Sequence, residues 1–196
     1  MLERKEPNRV LVVSGNENGS GYIISSLSPS DFEIVAPVNN SAEAKHRLAE
    51  SAVDIVFVNA PLTDEFGVDF AIDTASGEEN RVVILLVKNE IYEQVAYKTG
   101  RYGVLVLPKP VSRALMAQAI NLAVATRERL KREEKKAQNL QKKMSDIKAI
   151  DRAKLILIEK FRLTEDDAHK YLENQAMNMR VSKTEIAYAL IKTYET

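Results

Sequence analysis

Val104-Leu105-Val106-Leu107-Pro108-Lys109-Pro110 sets four apolar residues without polar alternation against an abrupt Lys-Pro pair. A run this short and this apolar reads as a strand buried on both faces. Four earlier runs read the same way: Val10 to Val13, Phe32 to Ala36, Ile55 to Val58 and Val82 to Val87. Between them lie helix-like stretches, Gly21 to Leu27, Ala42 to Glu50 behind Ser41 as N-cap, Val68 to Ala75, and Ile91 to Thr99 closed by Gly100. Strand and helix in alternation predict an α/β fold with a five-stranded parallel, doubly wound sheet covered on both faces.

Beyond Pro110 the pattern changes. From Ser112, a plausible N-cap, to Phe161 there is neither Gly nor Pro, and Ala, Leu, Lys, Arg, Glu and Gln dominate. This predicts one long helix, which at about 1.5 Å per residue is too long for a single small domain to bury. Apolar residues recur near heptad spacing at Leu115, Ala119 and Leu122, and again at Ala137, Leu140, Met144 and Ile147. The polar stretch from Arg127 to Lys136 separates them, broken only by Leu130. The spacing predicts a parallel dimeric coiled coil; the alternative is a solvated single helix, and isolated polar helices need partners to be stable.

The remainder resolves into three amphipathic helices, the first being the end of the long one. Thr164 with Asp167 resembles a capping box and Ser182 with Glu185 is a regular one, so helices start just after Leu163 and Val181. The expected apolar stripes are Ile150, Ala153, Leu157, Ile158 and Phe161, then Ala168, Tyr171, Leu172, Ala176 and Met179, then Ile186, Ala189, Leu190 and Tyr194.

Composition narrows the function. Hydrophobic residues make up 45% of 196 residues, enough for a real core. There is no cysteine, and the histidines are His46 and His169, which argues against disulfides, thiolate metal sites and histidine triads. No metal or cofactor is expected. No apolar run is long enough to span a bilayer, and the charged start from Met1 to Asn8 is unlike a signal peptide, so a soluble cytoplasmic protein without membrane contact is expected. Residues 1–126 hold 11 Lys and Arg against 16 Asp and Glu, whereas 127–196 hold 17 against 12, a split of −5 and +5. The second half suits an anionic partner, nucleic acid first; a solvated lysine-rich face is the other reading.

The five βα units and the Lys-Pro pair at Leu107-Pro108-Lys109-Pro110 resemble the receiver domain of response regulators, a flavodoxin-like fold, over about residues 8–125. The resemblance implies a pocket in which an acidic pair after the first strand binds Mg²⁺, an aspartate ending the third strand is phosphorylated, and a Ser or Thr ending the fourth meets the phosphoryl group. Here Ser14 and Gly15 stand for the acidic pair, Asn59 for the aspartate and Val87 for the hydroxyl residue, while Lys109 survives. An amide is a poor nucleophile, and a hard dication loses its oxygen ligands. A degenerate receiver without aspartyl phosphorylation is expected. Glu17 and Asp64 are the remaining acids for a displaced site, and Lys109 is expected to pair with an acid such as Glu17 or to hold its loop. Val106 stands at the place of the aromatic switch residue of receivers, and Pro110 is a candidate cis proline.

The C-terminal sequence is similar to the ANTAR motif in Ile150-Asp151-Arg152-Ala153-Lys154, Leu163-Thr164-Glu165-Asp166-Asp167-Ala168, Tyr171-Leu172 with Gln175-Ala176-Met177, and Ile186-Ala187. It departs at Leu155, where the motif usually has Gly. The resemblance implies binding of hairpins in nascent leader RNA that favours an antiterminator. Recognition of loop bases needs basic groups for phosphates and amides for base edges, which Arg152, Lys154, Gln175, Asn178, Arg180 and Lys183 offer, with Lys154 and Arg180 foremost. Tyr171 suits base stacking or, from its place on the apolar stripe, the core. The domains expected are a receiver-like body (8–125), a coiled-coil linker (112–147) and a three-helix RNA-binding domain (147–196). The function expected is that of a homodimeric, non-enzymatic antitermination regulator, open to control by a sensor or sequestering protein. The alternative is a docking module of a signalling pathway that never touches nucleic acid.

Overall fold

Consecutive side chains of a strand point to opposite faces, and the apolar runs fill both. The computed structural model describes residues 6–77 and 79–195. Its strands are β1 (Asn8–Ser14), β2 (Phe32–Val38), β3 (Ile55–Asn59), β4 (Val82–Lys88) and β5 (Leu105–Lys109), all parallel in the order β2-β1-β3-β4-β5. Leu11, Val13, Val56, Val58, Val83 and Leu85 enter one core, and Val10, Val12, Ile55, Phe57, Ile84 and Leu86 enter the other. That double burial explains why the runs lack polar alternation.

The helices between the strands are α1 (Glu17–Ser25), α2 (Ser41–Glu50), α3 (Val68–Ala75) and α4 (Tyr92–Thr99). Ala44, Leu48, Phe70 and Val95 of α2, α3 and α4 cover the first face, and Ile23 of α1 lies in the second core. Two expected starts shift. Asn16 caps α1, its Oδ1 accepting from Gly19 N–H at 2.7 Å, and Asn40 rather than Ser41 caps α2. A 3-10 turn precedes α4, Gly100 follows its last residue as expected, and the left-handed residue Gly103 closes the 3-10 turn that comes next.

The long helix is α5 (Arg113–Phe161), with the Ser112 hydroxyl accepting from Leu115 N–H. The chain divides into a unit ending at Lys131 and one beginning at Arg132, and α5 contributes to both. Leu115 and Ala119, expected in a dimer seam, instead pack into the second core of the body with Met116, Ile120 and Ala123, and Leu130 packs against it too. A parallel sheet needs both faces covered, and α5 supplies much of that cover. Near the end of this unit Asp54 accepts from Arg127 Nε at 2.9 Å and from Arg9 N–H at 2.9 Å, and pairs with Lys131 at 3.0 Å. Arg127 is buried, not part of a solvated stretch as its neighbours suggest. Burial pushes the Asp54 carboxyl up, but the hydrogen bonds from Arg9, Lys131 and Arg127 outweigh it and hold it below the usual aspartate value.

In the second unit α6 (Glu165–Met179) and α7 (Lys183–Tyr194) pack with the end of α5 around Ala149, Ala153, Leu157, Ala168, Leu172, Ala176, Ile186 and Ala187. Thr164 caps α6, and Ser182 with Glu185 forms a complete capping box on α7. The stripes are narrower than expected. Phe161, Tyr171, Met179 and Ala189 are exposed, and Ala187 takes a core place. Helices that meet on alanines approach closely, so one row of small residues fills the contact and larger neighbours turn outward.

Candidate functional site

The receiver-like pocket lies at the carboxyl ends of β1, β3 and β5. Asn59 is buried; its Nδ2 donates to Ser14 Oγ at 3.0 Å, and its Oδ1 accepts from Lys109 Nζ at 3.0 Å. Ser14 Oγ donates onward to the Asn16 carbonyl at 2.8 Å, and Lys109 also donates to the Ala60 carbonyl. The result is a closed network with one cation and no carboxylate. Gly15 and Gly19 allow it to close. A Cβ on Gly19 would stand 2.0 Å from Asn59 Nδ2, and one on Gly15 2.6 Å from the Pro61 carbonyl oxygen. The peptide bonds before Pro61 and Pro110 are both cis.

The acids named for a displaced site go elsewhere. Glu17 is exposed, and Lys109 turns to the Asn59 amide instead. Asp64 meets the first residues of α2, accepting from Ser41 N–H at 2.9 Å, Ser41 Oγ at 2.7 Å and Ala42 N–H at 3.2 Å. Hydrogen bonds from the Ser41 backbone and hydroxyl hold its carboxyl at about 2. Val87 is fully buried in the α2–α4 core. An amide, a hydroxyl and a valine bring neither a carboxylate nucleophile nor a dication cage to the end of β3. Among the described residues no group of three or more acids or histidines is placed to hold a metal.

In the C-terminal unit the candidate cations differ sharply. Lys154 is only 18% exposed, paired with Asp151 at 3.0 Å and Glu165 at 3.3 Å, and the hydrogen bonds to Asp151 and Glu165 raise its pKa. Arg152 pairs with Glu195, and Lys183 with Glu173 at 2.9 Å. Arg180 stands apart: it ends α6 in the left-handed conformation (φ 55°), exposed, and its guanidinium has no partner among the described residues. Asn178 is exposed and Gln175 half-buried on the same helix, and Tyr171 is 38% exposed. Leu155, the departure from the motif, is 46% exposed and so does not obstruct helix packing.

The three-helix unit coincides with a family match. Residues 138–191 match the ANTAR domain. The C-terminal unit is an ANTAR domain. Over 192 residues the chain is 27% identical to the transcriptional regulatory protein PdtaR of Mycobacterium tuberculosis, covering 97% of this chain and 92% of that one. The N-terminal unit has the fold of solved receivers. The signal receiver domain of an HD domain-containing protein from Pseudomonas fluorescens aligns with a TM-score of 0.57 at 19% identity, covering 65% of this chain and 94% of that one. A response regulator receiver domain protein from Clostridium thermocellum aligns with a TM-score of 0.55 at 21% identity, covering 63% and 98%. A receiver fold is thus followed by residues that match the ANTAR domain. Among the described residues no helix is long and apolar enough to cross a membrane.

Several residues that hold this build together left no local signal. Arg127, 73 positions from Asp54 in sequence, meets it together with Arg9 and Lys131. Glu165, Glu173 and Glu195 pair with three of the ANTAR cations, and no spacing in the sequence links them to those partners.

Proposed function

We propose that this protein is a homodimeric, non-enzymatic transcription antitermination regulator of the cytoplasm, binding hairpins in nascent leader RNA without aspartyl phosphorylation. The observation that carries the reading is the coincidence of the ANTAR match with a separately packed three-helix unit presenting an exposed Arg180 that has no partner among the described residues. The PdtaR relative, whose name describes a transcriptional regulatory protein, supports the regulatory half. Arg180 supplies a phosphate contact, Asn178 and Gln175 amides for base edges, and Tyr171 a ring for stacking. Arg152, Lys154 and Lys183 join by exchanging a carboxylate for a phosphate. The second copy pairs along the exposed Leu140, Met144 and Ile147 of α5, spaced four and three residues apart as in a heptad seam. Two weak sites joined in this way gain avidity on paired hairpins. The network of Ser14, Asn59 and Lys109 supports the absence of phosphoryl transfer.

An electrophoretic shift with paired-hairpin leader RNA tests the reading. The full-length dimer is expected to bind, with affinity falling steeply as salt rises. Absence of binding, or binding indifferent to salt and to Arg180→Gly, sinks it in favour of a protein-docking role. Incubation with acetyl phosphate followed by intact-mass measurement is expected to show no added phosphoryl group; a stable gain of one overturns the account of Asn59.

A further inference from the structure

A cavity of about 440 Å³ opens at the carboxyl ends of the strands, lined by Tyr22 and Asn18 of α1, Asn59, Leu86, Lys109 and the Pro110-Val111 turn. Its size is within the range of small-ligand sites, about 300–1,000 Å³. Its place is the crevice where open α/β sheets of this strand order bind ligands, beside the switch between β1 and β3. Three features give it a chemical character. Lys109 is a partly buried ammonium whose two protein partners, Asn59 Oδ1 and the Ala60 carbonyl, are both neutral. It has no carboxylate partner among the described residues, and an ammonium has three donors to place. Burial and the repulsion of nearby Lys88 both push its pKa below the ordinary lysine value. The remaining wall is apolar: Tyr22 spends its hydroxyl on the Val111 carbonyl at 2.8 Å, so the ring, Leu86, Pro110 and Val111 offer carbon surface.

A cation partly withdrawn from water without a counter-charge gains from a ligand that supplies the charge. We propose that this cavity binds a small organic monocarboxylate, its carboxylate on the Lys109 ammonium and its apolar body against Tyr22, Leu86, Pro110 and Val111. One ammonium balances one negative charge. A phosphate dianion would leave charge over, with no guanidinium fork and no dication in the lining to meet it. The bound carboxylate offsets both the burial of Lys109 and its repulsion by Lys88. The receiver body thereby gains an input that requires no phosphoryl transfer.

The test is titration of the full-length protein with 4-fluorobenzoate followed by ¹⁹F NMR, alongside the neutral isostere 4-fluorobenzamide and inorganic phosphate. Saturable binding of the benzoate is expected, with the benzamide weaker by about tenfold or more and Lys109→Gln losing about tenfold. Asn18→Asp places a negative charge on the exposed rim without touching the core and is expected to weaken the benzoate about threefold. No saturable binding, a benzamide as good as the benzoate, or displacement of the benzoate by equimolar phosphate overturns the proposal. So does wild-type affinity in Lys109→Gln that retains its far-UV circular dichroism. Should that variant fail to fold, wild-type affinity in Asn18→Asp overturns the proposal, and weakening there supports it.

Discussion

The receiver body and the ANTAR unit bury themselves and place their cations in opposite ways. In the body, five strands of valine, isoleucine and leucine are closed between helices, and Lys109 faces neutral acceptors in a partly buried pocket. In the ANTAR unit three helices meet on alanines around Leu157, Leu172 and Ile186, and most candidate cations are tied to surface carboxylates. The same ammonium is therefore pushed below its usual pKa at Lys109 and raised above it at Lys154. A partly buried charge whose protein partners are neutral suits a small anionic ligand. Paired charges on an exposed face mark a surface where a polyanion exchanges one partner for another at modest cost.

The comparison breaks hardest at the cores. Leu172→Ala is expected to cost about 4 kcal/mol, because a fully buried leucine among alanines leaves a cavity that cannot collapse. In chemical denaturation that loss is expected in the ANTAR unit's transition, with the body's left in place; a uniform shift of both would show the units unfold together. Asp54→Ala is expected to cost about 3 kcal/mol in the body's transition, since it removes the carboxylate that accepts from the buried Arg127. The sign of the acid response follows from the same group. The folded-state pKa of Asp54 lies below its unfolded value, so its contribution is present above about pH 4 and is lost as pH falls through the folded value. Acid unfolding of Asp54→Asn is expected to lack that component.

Smaller effects sharpen the contrast among cations. Arg180→Gly keeps the left-handed conformation at the end of α6 while removing the guanidinium, and is expected to weaken leader RNA about tenfold in fluorescence anisotropy. Lys154→Ala, whose charge already has two carboxylate partners, is expected to weaken it only about threefold. The reverse order would mean that RNA displaces Asp151 and Glu165 and that Lys154 is the principal contact. Smallest is Ser182→Ala, which removes the α7 cap at a cost of about 1 kcal/mol in thermal melting, without a direct effect on affinity.

Much of the body was legible because its signals are local. Each apolar run marks its own strand, and Val68–Ala75 has the bounds the sequence predicts. Ser14, Gly15, Asn59 and Val87 announce a receiver pocket stripped of its carboxylates before any coordinate is known. The stripes of the C-terminal helices were less legible. Tyr171 and Met179 fit an amphipathic pattern as well as Ala168 and Leu172 do, and the pattern carries no information about how closely two helices approach. Among the RNA candidates the sequence ranks Lys154 with Arg180, and the structure separates them because the partner acids come from positions no periodicity links.

From the sequence alone come the five strands and their double burial, the caps at Thr164 and Ser182, the charge split and the missing phosphorylation residues. All of these follow from residue type, short spacing and resemblance to known motifs. The tertiary structure decided which residues of α5 the body consumes, that Asp54 holds Arg127 and Lys131, that Lys109 answers to an amide rather than to Glu17, and which ANTAR cations pair with carboxylates. Each depends on groups brought together from distant parts of the chain, where the decisive quantities are distance and exclusion of water. Residue type limits those quantities, and only packing sets them.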